Sequence, residues 1–103
     1  MSAEIEREFD AAMMQIYHRA LKEAKYNATR YLQMLHEHGG LATAQILLHS
    51  PTVSDGYTAL WEKKRLDLTV EALILQPDWQ GLFTDAEREI ARKRLEDYGF
   101  DFR

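Results

Sequence analysis

The stretch Leu66-Asp-Leu-Thr-Val-Glu-Ala-Leu-Ile-Leu-Gln-Pro77 decides the fold. Between Leu68 and Leu75 its only polar side chains are Thr69 and Glu71. A helix that is apolar nearly all round needs neighbours on every side, so residues 68–75 are expected to form a central helix. Asp67 or Thr69 is placed to cap its start, and Pro77 follows its end.

The neighbouring segments are amphipathic and can each offer that helix one face. Upstream, Tyr57, Leu60 and Trp61 mark the apolar edge of a helix that closes in Lys63-Lys64-Arg65, with Ser54 and Asp55 able to cap it. Residues 27–49 read as two helices joined by Gly39-Gly40: Asn27 is the expected N-cap of the first, and Ser50-Pro51 stops the second. Residues 3–25 are the longest periodic segment, with Ile5, Phe9, Ala12, Met13, Ile16, Ala20 and Ala24 on one stripe. A second strip, Met14, Tyr17 and Leu21, flanks the first. It is gripped within the monomer or meets another subunit.

Downstream, Trp79, Leu82 and Phe83 form an apolar connector. Thr84-Asp-Ala-Glu87 is a capping box that opens a last helix reaching about Tyr98, with Gly99 as its stop. Phe100 and Phe102 are expected to tuck back against the body. No segment alternates as a strand would. The predicted fold class is all-α: one compact domain over residues 1–103, with about six helices packed around the central apolar one.

The chain has 103 residues, 46% of them hydrophobic and 29% charged, which matches a globular domain rather than a disordered segment. A net charge of −4 disfavours general binding to nucleic acid or anionic membranes, since both need a surplus of cations. With no cysteine there is no disulfide, thiolate metal site or thiol nucleophile, in keeping with a reducing cytoplasm. The acidic, amphipathic start does not read as a secretory signal, and no apolar run approaches the ~20 residues of a membrane span.

His36-Glu37-His38 invites a metal reading, but residues i and i+2 on a helix point apart, whereas helical ligand pairs use i, i+3 or i+4. Solvated polar residues near a helix C-terminus are the preferred reading. His18 and His49 stand alone. Helix, Gly-Gly turn, helix invites comparison with a DNA reader, yet residues 41–49 contain no Lys or Arg for phosphates.

Two basic clusters remain, at 63–65 and 88–94. If Lys63, Lys64, Arg88, Arg92 and Lys93 shared a face they would form a phosphate-binding patch. Pairing with neighbouring carboxylates on solvated faces is the simpler reading. Arg94 differs, because it falls in the middle of the apolar face of the last helix, and Glu71 is equally misplaced on the central one. A semi-buried ion-pair network of Asp67, Glu71, Arg65 and Arg94 is therefore expected, in which Glu71 or Asp67 meets Arg94 or Arg65, with Arg30 as a further candidate member. Trp61 is assigned to the core. Trp79, in its connector, joins Met14, Tyr17 and Leu21 as a candidate interaction surface.

Five segments carry a resemblance: Tyr26-Asn-Ala-Thr-Arg-Tyr-Leu-Gln-Met, Gly39-Gly-Leu-Ala-Thr-Ala, Ser54-Asp-Gly-Tyr-Thr-Ala-Leu-Trp-Glu, Arg65-Leu-Asp-Leu-Thr-Val-Glu and Ala91-Arg-Lys-Arg-Leu-Glu-Asp-Tyr-Gly. From about Tyr17 to Tyr98 the chain resembles a family of small uncharacterised bacterial proteins. The resemblance implies a single-domain intracellular protein of a bacterium or phage. It brings no catalytic residue with it.

The functional expectation is a non-enzymatic cytoplasmic interaction module that binds a protein partner or itself. No metal, cofactor, membrane or small-molecule substrate is called for. The alternative is a nucleic-acid-associated or regulatory protein that uses the two basic clusters.

Overall fold

The computed structural model describes residues 2–100, and among them it contains helices and no strand. Six α-helices run in the order α1 (Ser2–Glu23), α2 (Thr29–His38), α3 (Gly40–His49), α4 (Asp55–Glu62), α5 (Val70–Ile74) and α6 (Asp85–Asp97). Short 3-10 turns at Leu66–Leu68 and Pro77–Leu82 flank α5.

The central helix is shorter than its apolar run suggests. Thr69 is the reason: its backbone is extended, its Oγ1 accepts from Ala72 N, and its hydroxyl donates to Leu66 O at 2.7 Å. A threonine that bonds locally in this way competes with continuous helix and becomes a cap instead. The five residues of α5 are held by packing, with Val70, Leu73 and Ile74 buried against α1 and α6.

On α1, Phe9, Met13, Ile16 and Ala20 form the buried stripe. The second strip divides. Tyr17 is buried within the monomer, with its hydroxyl donating to Asn27 Oδ1 at 2.8 Å, whereas Met14 is half-buried and Leu21 is 41% exposed. Asn27, committed to Tyr17, does not cap α2. Ala28 takes that position without a side-chain acceptor.

The α2–α3 hairpin is clamped to α1. Tyr31 donates its hydroxyl to Met13 O at 2.8 Å, and Gly40 N donates to Asp10 Oδ1 at 2.6 Å. Gly39 has φ +82°, the left-handed backbone that ends α2. Gly40 is needed for a different reason: a Cβ there would lie 3.0 Å from Asp10 Cα and 3.3 Å from Met13 Cγ. Because one of those atoms is backbone, α1 and α3 must separate to admit a methyl group. Gly40→Ala is expected to cost about 1–3 kcal/mol, the usual range for overpacking, as measured by urea denaturation.

Three helices end with a bond from the residue two beyond the cap back into the last turn: Tyr26 N to Ala20 O, Arg65 N to Leu60 O, and Phe100 N to Leu95 O. Gly99, at φ +80°, supplies the left-handed residue at the last of these, while Lys25 and Lys64 do so at the others. Phe100 packs partly buried against Tyr57, Leu66 and Leu95. Phe102 lies outside the described residues.

Candidate functional site

The two misplaced charges meet. Arg94 Nη1 donates to Glu71 Oε2 at 3.0 Å, with the two side chains 14% and 5% exposed. The same guanidinium donates to the carbonyls of Leu47, Leu48 and Ser50 at 3.1, 3.3 and 2.5 Å. Those carbonyls belong to the end of α3, where acceptors have no intrahelical donor and a cation is favoured by the helix dipole. One side chain of α6 thus ties α3 to α5. Burial pushes the Glu71 carboxyl above its ordinary range, against the opposing pull of its backbone hydrogen bond and Arg94.

Arg65 and Asp67 do not join this pair. They form a separate surface group with Glu23, to which Arg65 donates at 2.7 Å, while Arg65 Nε reaches Asp67 at 3.0 Å. The expected four-residue network is two networks. In the surface group, hydrogen bonds from Arg19 and Arg65 hold the Glu23 carboxyl at about 2, below its ordinary 4.5. A carboxyl whose folded value lies below its unfolded one stabilises the fold above the unfolded value and loses that contribution as pH falls. Glu23→Gln is expected to flatten the fall in stability between about pH 4.5 and 2 at low salt, and to change little in 1 M NaCl. Thermal melts across that range at both salt concentrations measure it.

His49, to which the sequence reading gives no role, has Nε2 2.8 Å from Glu87 Oε2. Glu87 also completes the capping box of α6 with Thr84. The contact joins the end of α3 to the start of α6 across 38 residues, a separation at which sequence spacing carries no signal.

The tryptophans exchange the places expected of them. Trp79 is 8% exposed and sits edge-on to Phe9, with ring centroids 5.3 Å apart, so it belongs to the core and not to a surface with Met14, Tyr17 and Leu21. Trp61 is 44% exposed and stands edge-on to Tyr98 at 5.3 Å. On α4, Tyr57 and Leu60 turn inward, and the next residue faces out.

Of the basic residues, Arg92 is held by Glu89 and Glu96, Arg94 by Glu71, Arg65 by Glu23 and Asp67, and half-buried Arg88 lies 3.8 Å from Asp85. Lys63, Lys64 and Lys93 are exposed. Among the described residues no three His, Asp or Glu side chains converge as a metal site would require, and no helix is long and apolar enough to cross a membrane.

A cleft of about 470 Å³ opens between α1, α2, α3, α4 and α5. Ile16, Ala20, Met34, Ile46, Leu60 and Val70 contribute apolar wall, and Asn27, Thr29, Arg30, Thr52 and Asp55 are its exposed polar lining. Sequence periodicity places Ile16, Ala20, Leu60 and Val70 on apolar faces, makes no assignment for Met34 or Ile46, and gives no sign that the helices stand apart there. No family model, curated protein or solved structure matches this chain.

Proposed function

We propose that this protein is a non-enzymatic interaction module of the bacterial cytoplasm, which binds a polypeptide partner through its outward-facing aromatic surface. The observation that carries the reading is Trp61, nearly half exposed yet backed by Tyr98. A large ring held against a second ring loses little freedom on binding, and residues of this type anchor protein interfaces. Leu21 and Ile46, at 41% and 45% exposed, add apolar surface on α1 and α3. The engagement of Arg65, Arg92 and Arg94 by carboxylates favours a polypeptide over a phosphate backbone as the partner.

A second copy of the chain is the first partner to test, by light scattering after size exclusion over a range of concentration. Self-association through Trp61 would raise the wild-type mass from 12.0 kDa towards twice that value and leave Trp61→Glu at 12.0 kDa. A wild type that stays at 12.0 kDa throughout removes the second copy and leaves a different polypeptide as the partner. A dimer indifferent to Trp61→Glu overturns the assignment of the surface.

A further inference from the structure

We propose that the cleft between α1, α2, α3, α4 and α5 binds a small amphiphilic carboxylate, with its apolar body between the helices and its carboxylate on the bare N-terminus of α2 beside Arg30. The cleft does not include Trp61 and shares only Ile46 with the interaction surface above, so Trp61→Glu and Arg30→Gln distinguish the two readings. Its volume of about 470 Å³ falls within the 300–1,000 Å³ of typical small-molecule sites, and its wall surface is mainly apolar, as such sites are.

The charge pattern selects the head group and its direction. Ala28, Thr29, Arg30 and Tyr31, which start α2, all line the cleft. That helix has no side-chain cap, because Ala28 offers no acceptor and the side-chain Oδ1 of Asn27 is taken by the Tyr17 hydroxyl. The N–H groups of Arg30 and Tyr31 therefore have no acceptor among the described residues. Free N–H groups and the positive end of the helix dipole together favour an oxyanion. Arg30 is exposed and in no ion pair among the described residues, in contrast to Arg19, Arg65, Arg92 and Arg94. Its guanidinium is available for a charge-assisted, two-pronged bond to a carboxylate.

The inner wall offers no such cation. Arg30 is the one Lys or Arg among the described residues that lines the cleft, and Glu71 is already neutralised by Arg94, so the guest lies head outward. Asp55, exposed at the start of α4, is the lining carboxylate that opposes an anion at the mouth. Tyr57, 2% exposed, also lines the cleft, and its hydroxyl has no hydrogen-bond partner among the described residues. One wall residue thus carries a polar atom that nothing among the described residues satisfies.

The test is a set of amide chemical-shift titrations with octanoate, 1-octanol and butyrate, on wild type, Arg30→Gln and Asp55→Asn. Octanoate is expected to shift the amides of Arg30 and Tyr31 together with those of Ala20 and Ile46. 1-Octanol and butyrate, each lacking one half of the guest, are expected to bind about tenfold or more weakly. Arg30→Gln is expected to weaken octanoate about five- to tenfold without changing 1-octanol, and Asp55→Asn to tighten octanoate. Arg30 is exposed, so its replacement leaves the fold intact, as the undisturbed amide spectrum will register. The proposal is overturned if octanoate leaves the cleft amides unmoved, or if octanoate and octanol bind alike and ignore Arg30→Gln.

Discussion

Arg94→Ala is expected to lower the free energy of unfolding by about 3–5 kcal/mol, and Glu71→Ala by a comparable amount. Neither figure comes from the attraction between the two charges, most of which is offset by the loss of hydration. It comes from what is left behind. Without Arg94, the Glu71 carboxylate stays buried with no cation, and the carbonyls of Leu47, Leu48 and Ser50 lose the donors that end α3. For a domain of this size, whose total stability is ~5–15 kcal/mol, that is a large fraction.

Lysine is not expected to rescue position 94, because a single ammonium cannot span an acceptor on α5 and three at the end of α3. The pH dependence identifies the cause. Burial already raises the Glu71 carboxyl, and a group whose folded value exceeds its unfolded one destabilises the fold as pH rises through the folded value. With Arg94 gone that upward shift grows, so the loss in Arg94→Ala should be smaller at pH 4, where the carboxyl takes a proton, than at pH 7. Urea denaturation at the two pH values measures this. An equal loss at both would mean that the carbonyls of α3, and not the stranded carboxylate, dominate. Replacing both partners with leucine is expected to recover part of the loss and not all, since those carbonyls remain without donors.

Trp79→Ala is expected to cost about 3–5 kcal/mol, and Trp61→Ala less than about 1 kcal/mol. Trp79 fills the core beside Phe9, which in turn stacks edge-on with Phe83 at 5.4 Å. Truncating Trp79 removes one wall of a packed aromatic group and leaves a cavity between α1 and the Pro77–Leu82 turn. Its indole N–H has no hydrogen-bond partner among the described residues, so no lost polar contact adds to the figure. Trp61 has solvent on one side and Tyr98 on the other. Guanidinium denaturation of both variants separates the two sites, and equal effects would contradict the burial described here.

The contrast between the two tryptophans shows what the sequence made legible. Helix ends with side-chain signals were readable: Thr84 and Glu87 stand three apart and close the capping box, and Ser54 caps α4 through Tyr57 N. Arg94 was readable too, because a charge in the middle of an apolar stripe must find a partner. The rest depended on tertiary contacts that no local pattern encodes. A connector such as Pro77–Leu82 has no periodicity to show whether Trp79 faces in or out. In an eight-residue helix, Tyr57, Leu60 and Trp61 fit one face equally well until the neighbours choose.

The same limit applies to the turns and to the cleft. α1 and α4 are followed by Lys25 and Lys64 in left-handed backbone, where the usual signal is glycine. Asn27 read as the cap of α2 because its type suits that role, but Tyr17, ten residues earlier, claims its side chain. That substitution of partners leaves the start of α2 bare at the edge of the cleft. Aliphatic spacing reports which residues avoid water and not whether facing helices close on one another.

Photo-cross-linking in cells, with benzoylphenylalanine in place of Trp61, tests the functional reading most directly. The substitution keeps a large apolar aromatic side chain at the proposed contact, and a matched substitution at exposed Glu37 serves as control. The expected result is a discrete protein adduct at position 61, either a doubled chain or one other polypeptide, that is missing at position 37. No adduct at position 61, or the same adducts at both positions, would contradict the account.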